Sequence, residues 1–282
     1  MLIESAYGKS RVRVVQLTRR DDRHRLCDLT VAIRFQGQYE ESYTAGDNSG
    51  VLPTDTMKNT VYALAAAGEV AQPETFGLAL ARHFLARNPR LDRVRIDVTE
   101  KRWTPIPVRG ENDPHAFVGE GPDTRTAQIS ASREDTRLSA GITDLFILKS
   151  SRSAFSGFVR DELTTLPDTD DRILATSLTA TWRYRTTEVA FGPVWRLVKD
   201  TLLESFADHD SASVQHTMYA MGEAVLTQAA DVTEIHLVMP NKHHLPVDLT
   251  RFGLENRNEI FVATDEPFGL IEATIARPRE SF

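Results

Sequence analysis

Cysteine is almost missing from this chain: Cys27 is the only one in 282 residues. A lone thiol cannot close an internal disulfide, and by itself it supplies neither a thiolate metal site nor an iron–sulfur cluster. Such a sequence fits a reducing compartment. Long apolar runs are missing too, and no stretch approaches the roughly 20 apolar residues of a spanning helix. The opening Met1-Leu2-Ile3-Glu4-Ser5 lacks the charged-then-apolar order of a secretory signal. The final Pro278-Arg279-Glu280-Ser281-Phe282 is not a Ser-Lys-Leu address, so the cytoplasm is the expected location. Positive charge is not in excess. With 33 basic and 40 acidic residues the net charge is −7, and no global field draws the protein to nucleic acid or an anionic membrane. There is no GxGxxG, no P-loop and no Ser-centred nucleophile elbow, so dinucleotide, nucleoside-triphosphate and α/β-hydrolase chemistry lack their fingerprints.

What remains is an ordinary globular composition, 41% apolar and 26% charged, with length for one large domain or two of usual size. Of the 33 basic residues 27 are arginine, which suggests a GC-rich bacterial genome. The first stretch alternates: Lys9, Arg11 and Arg13 read as one face of a strand, Val12 and Val14 as the other. A second strand follows over Leu26 to Phe35. Gln36-Gly37 then reads as a turn into a further strand from Tyr39 to Thr44. Gly46-Asp47-Asn48-Ser49-Gly50 is loop chemistry. After Pro53, Thr54 or Asp55 can cap a helix through Met57, Val61 and Leu64. Pro73 opens another, with Phe76, Leu80 and Phe84 on one stripe. Strand signals return over Val94 to Thr99. Segment 105–123, with four prolines and three glycines, reads as a loop or wide hairpin connection.

The second half repeats this order. Strands are expected over Ala127 to Ser132, Leu145 to Lys149 and Leu178 to Tyr184, then helices from Phe191 to Phe206 and from Ser213 past Leu226. Strands near Ile235, Ile260 and Leu270 close the chain. Each half reads as strands, two helices, strands, so a tandem repeat with a boundary near residue 137 is expected. Two antiparallel sheets, each with a helix pair on one face, make an α+β protein. Their exposed edges need covering, and a ring closed with neighbouring subunits would do so.

Several clusters can carry chemistry, each with a plainer structural alternative. Lys9 sits among like charges, which favours a neutral, proton-accepting amine; it can equally be a solvated edge lysine. Thr54-Asp55 at a helix start offers a hydroxyl, a carboxylate and free N–H groups to a polar heterocycle; it can equally be an ordinary cap. Phe155, followed by Arg172, suits a flat anionic ring that stacks on the aromatic and pairs with the guanidinium fork. Core packing and a surface ion pair are the alternatives. Asn241-Lys242-His243-His244 ends a strand. Its adjacent histidines point to opposite faces and poorly suit one metal, whereas a single histidine beside an amide is an economical proton-transfer pair.

At these residues the sequence resembles the urate oxidase (uricase) family. The matching segments are Tyr7-Gly8-Lys9-Ser10-Arg11-Val12-Arg13, Gly46-Asp47-Asn48-Ser49 and Thr54-Asp55-Thr56-Met57-Lys58-Asn59-Thr60. They continue with Gly157-Phe158-Val159-Arg160-Asp161-Glu162, Thr164-Thr165-Leu166, Asp171-Arg172-Ile173-Leu174, Ser213-Val214-Gln215, Met239-Pro240-Asn241-Lys242-His243 and Gly269-Leu270-Ile271. They are dispersed, collinear and span essentially the whole chain.

The resemblance implies two tandem tunnelling-fold (T-fold) units, 1–137 and 138–282, in a homotetrameric barrel with sites at subunit interfaces. It implies oxidation of urate by O2 to 5-hydroxyisourate and hydrogen peroxide in purine degradation, with no metal or organic cofactor. Lys9, Thr54 and His243 are implied as a proton relay. Arg172 and Gln215 are implied to hold opposite edges of the substrate, Phe155 to stack on it, and Leu166 and Val214 to line it. Thr54 and Asp55 are implied to close the pocket from a neighbouring subunit, and Asn241 to place O2 and then water. Two other readings stay open: a non-catalytic purine-binding T-fold protein, and a metal-dependent pterin or purine enzyme of that fold. The second needs a ligand cluster, for which His83, His115, His209, His216 and His236 are scattered.

Overall fold

The computed structural model describes residues 1–68 and 70–278, and these form two compact units. The first comprises Met1–Gly141 with Arg183–Gly192, the second Ile142–Trp182 with Pro193–Phe282. Among the described residues no helix is long and apolar enough to cross a membrane.

The first unit opens with strands β1 (Tyr7–Arg19) and β2 (His24–Gly37). Short helix α1 (Glu40–Thr44) precedes α2 (Thr54–Ala67) and α3 (Pro73–Arg87). Strands β3 (Leu91–Lys101), β4 (Trp103–Val108), β5 (Glu111–Gly119) and β6 (Thr124–Ala131) follow. A tight turn, with Ser132 N–H donating to the Asp135 carbonyl at 2.7 Å, leads into β7 (Thr136–Lys149), whose later residues belong to the second unit. The strand order is β1-β2-β3-β6, antiparallel throughout, while β4 and β5 form a separate hairpin. Alternation explains the core: Leu29, Val31, Ile33 and Phe35 of β2 are almost fully buried, as are Val94, Ile96 and Val98 of β3. Helix α2 packs on β1, and α3 on β3 and β6.

The second unit runs from the end of β7 through most of β8 (Leu174–Tyr184) and of α4 (Phe191–Asp208), then α5 (Val214–Gln228) and β9 (Val232–Lys242); Arg183, Tyr184, Phe191 and Gly192 fall in the first unit. A small hairpin, β10 (His244–Pro246) with β11 (Phe261–Ala263), precedes β12 (Gly269–Ala276). The order here is β7-β8-β9-β12, and α5 packs on β9 and β12. Each unit thus has a sheet carrying a helix pair, the α+β class expected from the repeated order of elements.

Three local expectations need correction. Tyr39 to Thr44 is a turn and the short helix α1, because Tyr39 is buried as an anchor and Glu40 and Glu41 sit favourably in a first helical turn. Helix α2 has Pro53 at its N-cap with no side-chain cap, so Thr54 and Asp55 lie inside the first turn. The third concerns β1. Lys9 pairs with Ile33 but Val12 with Val31, so three steps on β1 match two on β2. Arg11 takes a left-handed φ of 57° at this bulge. Residues directly opposite in an antiparallel pair share a face, so Lys9 lies on the helix-bearing face with Val12, while Arg13 lies on the other with Asp28. The bulge therefore separates Lys9 from the arginines with which strict alternation groups it.

Two ties fix α2 against β1. Tyr7 Oη accepts from the Leu52 N–H at 3.1 Å just before the helix. At the far end Gln16 Nε2 donates to the carbonyls of Ala65 and Gly68, and its Oε1 accepts from Val70 N–H at 2.7 Å. Between Tyr7 and Lys9 the chains approach so closely that a Cβ on Gly8 would stand 1.8 Å from the Ile33 carbonyl oxygen. Backbone cannot yield as a flexible side-chain tip can, so Gly8→Ala is expected to destabilise the fold by about 2 kcal/mol or more, read as a lower urea midpoint at unchanged m-value.

Candidate active site

Each unit carries one group of the residues singled out by sequence. In the first unit the group is Lys9 and the start of α2. Lys9 and Thr54 are half-buried and Asp55 is exposed. Asp55 accepts from Lys58 Nζ at one oxygen and from Asn59 Nδ2 at 2.9 Å at the other. These hydrogen bonds, helped by the nearby charge of Lys9, hold the Asp55 carboxyl below its ordinary range. A salt-bridged carboxylate is thus fixed in its ionised form, and the first-turn N–H groups beside Thr54 are left without intrahelical partners. The bulge in β1 brings the ammonium of Lys9 to this same side of the sheet.

In the second unit three segments are laced by backbone. Phe155 exchanges both main-chain hydrogen bonds with Thr169, at 2.8 and 3.0 Å. Arg172 N–H donates to the Ser153 carbonyl at 2.8 Å, and Ala154 N–H to the Ser211 carbonyl at 2.7 Å. The lacing gathers Phe155, Arg172 and the start of α5 around one region. The guanidinium carbon of Arg172 lies 5.1 Å from the Phe155 ring centroid. Phe158 stacks on Phe155 at 4.9 Å with 12° between planes, and Arg160 lies 4.6 Å from the centroid of Phe158. Arg160 is itself held by the Leu166 carbonyl and Asp168, both at 3.1 Å.

Arg172 forms no ion pair with any described residue, which removes the surface-pair alternative. Its Nε is buried and unpartnered. Burial lowers the guanidinium's affinity for its proton without discharging it. A cation left without an acceptor in a partly dry place is costly unless an anion arrives.

Helix α5 supplies the next element. Ser213 caps it by accepting from His216 N–H at 3.1 Å. The N–H groups of Val214 and Gln215 are those a helix start leaves without intrahelical partners. Val214 is buried, whereas the Gln215 side chain is exposed and Leu166 is half-exposed. At the end of β9, Asn241 is buried opposite Gly269, which leaves space beside its amide. His243 follows half-buried, its carbonyl accepting from Thr264 N–H at 2.9 Å. The Asn241 amide and the His243 imidazole make no hydrogen bond with another described residue. Lys242, between them, is diverted to the Phe268 ring and Asp265.

Among the described residues no three His, Cys, Asp or Glu side chains gather as a metal-holding group. Sequence reasoning gave no role to Phe158, though its spacing from Phe155 is an aromatic signal, nor to Lys149. The latter, the last residue of β7, is buried against the end of α4, where it donates to the carbonyls of Phe206, at 3.2 Å, and His209. His209 in turn meets His216 edge-to-face at 4.4 Å.

The comparisons with known proteins agree on one family. The Uricase family model matches residues 5–130 and 138–272. A uricase from Arthrobacter globiformis is 45% identical over 277 residues, covering 98% of this chain and 90% of that protein. A uricase from Danio rerio is 36% identical, covering 98% and 94%. The crystal structure of the Arthrobacter globiformis uricase superposes with a TM-score of 0.95 at 44% identity, covering 100% of this chain and 96% of that one.

The His209 cluster has a consequence for acid stability. Burial, then the neighbouring His216 and Lys149, lowers the His209 pKa, so the unfolded chain binds a proton more readily than the folded one below about pH 6.5. Stability is therefore expected to be lost as the pH falls from there through the lowered folded value. Urea midpoints at pH 7 and pH 5 should differ more for the wild type than for His209→Gln.

Proposed function

The chain belongs to the uricase family of urate-oxidising enzymes, and from that premise we propose the full reaction: urate, O2 and water give 5-hydroxyisourate and hydrogen peroxide. No metal or organic cofactor takes part in this reading. The observation that carries it is the Arg172–Phe155 pair, an unpaired guanidinium beside an aromatic face. Urate is a flat, acidic heterocycle, and such a ring stacks on Phe155 while its anionic edge takes the Arg172 fork bidentately. Gln215 holds the opposite edge through its amide, Val214 offers a backbone N–H, and Leu166 supplies apolar wall.

Triplet O2 reacts slowly with closed-shell molecules, so a cofactor-free route needs an electron-rich substrate. The protein's task is to hold urate as an anion and to remove its remaining acidic proton. Lys9, Thr54 and His243 are assigned to that relay: the lysine polarises the threonine hydroxyl, and the histidine exchanges protons with water. Asn241, with an amide free of protein partners, places O2 and afterwards the attacking water over the ring.

The tandem organisation, 1–137 and 138–282, is part of this reading, as is a homotetramer. The exposure of Asp55 and Gln215, and the one-sided pairing of strands β1 and β12, support closure by other copies. In that assembly the Lys9–Thr54–Asp55 group of one subunit meets the Phe155–Arg172–Gln215 group of a neighbour. A bacterial cytoplasm is the assigned location.

Two variants separate the roles. Arg172→Ala is expected to raise the KM for urate by roughly two orders of magnitude, about 3 kcal/mol, since the substrate's charge then stays unpaired. Lys9→Met is expected to lower kcat with a smaller change in KM. Chelator-treated enzyme is followed by urate absorbance and peroxide release. Urate binding without peroxide would sink the oxidase assignment, and an unchanged kcat in Lys9→Met would sink the relay.

A further inference from the structure

We propose that Tyr7 is a positioning residue for the proton relay, setting the Thr54 hydroxyl against Lys9 through its hydrogen bond to the Leu52 backbone. The inference rests on the relay assigned above and adds a residue that contacts neither substrate nor proton. The bulge at Ser10–Arg11 turns the end of β1 so that Tyr7, paired with Phe35, and Lys9, paired with Ile33, share the helix-bearing face. Tyr7 is braced on that face by two edge-to-face rings, the buried Phe35 at 5.7 Å and the buried Tyr39 at 4.9 Å. Burial raises its pKa, so the phenol stays protonated and neutral.

Its hydroxyl oxygen accepts from Leu52 N–H at 3.1 Å across 45 residues of sequence. Leu52 precedes Pro53, whose fixed φ transmits that anchor rigidly into the first turn of α2. The helix has no side-chain N-cap to define where it begins, so its start is defined by what holds the residues before it. Gln16 holds the opposite end of the same helix. The two ties are alike as stabilising contacts but differ in what they locate: one the Thr54 hydroxyl, the other the distant Ala65–Val70 turn. A loss of one ångström in register at a proton-transfer pair costs rate far more than it costs stability.

The test compares Tyr7→Phe, which keeps the braced ring and deletes only the hydroxyl, with Gln16→Ala and Lys9→Met. Tyr7→Phe is expected to lower kcat about tenfold or more with KM for urate within about twofold, and to speed hydrogen exchange at the Leu52 amide. Gln16→Ala is expected to lower the thermal midpoint with kcat within about twofold of wild type. A kcat for Tyr7→Phe within twofold of wild type overturns the proposal. So does an equal kcat loss in Gln16→Ala, which would make the effect a general loosening of α2. If Lys9→Met keeps its kcat, the relay itself fails and the Tyr7 assignment falls with it. If Lys9→Met fails to turn over while Tyr7→Phe is unaffected, the relay stands and only Tyr7 is dismissed.

Discussion

The geometry of the first unit depends on one extra residue in β1. Without the bulge at Ser10–Arg11, strict alternation would put Lys9 on the face that carries Arg13 and Asp28, away from α2. With it, the amine faces the start of that helix, and the cost is a non-glycine residue in the left-handed region. Gly8 is the complement of the same device: just before the bulge the strand runs so close to β2 that no side chain fits there. Strain and close approach together convert a strand edge into an aimed amine, a use of bulges that recurs beside functional sites.

The second unit solves a different problem, that of keeping a cation without an acceptor. Arg172 is not stabilised by a carboxylate; it is fixed by its backbone bond to Ser153 and by the ring of Phe155. A stacked ring offers a guanidinium only a weak electrostatic partner, so the binding potential of the fork is left available. Arg160, one ring further along the stack, is the contrasting case, since Asp168 and the Leu166 carbonyl already satisfy it. Two arginines in the same loop region thus differ in chemistry because their acceptors differ. The arginine that lacks one is assigned to the ligand.

Much of this was legible in the sequence, for identifiable physical reasons. The helices were visible because Pro73 and the stripe of Phe76, Leu80 and Phe84 obey helical spacing, and the core strands because Leu29, Val31, Ile33 and Phe35 alternate. The residues assigned to the proposed site were singled out within short motifs that mix polar groups such as Thr54, Arg172 and Asn241 with apolar ones such as Phe155. What escaped was whatever depends on contacts between distant segments. Nothing local to Ser10-Arg11 announces a bulge, because the register that creates it belongs to the pairing with β2. Tyr39 to Thr44 has strand-like composition, yet Tyr39 is drawn into the core beside Tyr7, and the chain turns there. Likewise a threonine after proline reads as a helix cap, while the anchor that fixes this helix start comes from Tyr7, on another strand.

These features bear on how the proposed reaction, run without a redox group, would divide its labour. If urate supplies the electrons, the protein handles only charge and protons, and the two tasks make opposite demands. Binding an anion calls for a fixed cation near the ring; taking its last proton calls for a basic group that the same cation would disfavour at short range. In the proposed arrangement the conflict is eased by carrying the fixed cation and the lysine of the relay on separate folded units, with only His243 of the relay on the unit of Arg172. Arg172 is set by one scaffold and Lys9 by another, and the proposed tetramer joins them only through the substrate and a short relay. The bulge, the unpaired guanidinium and the clamp on α2 are then parts of one requirement, that opposed electrostatic functions be built independently and brought together at the ring.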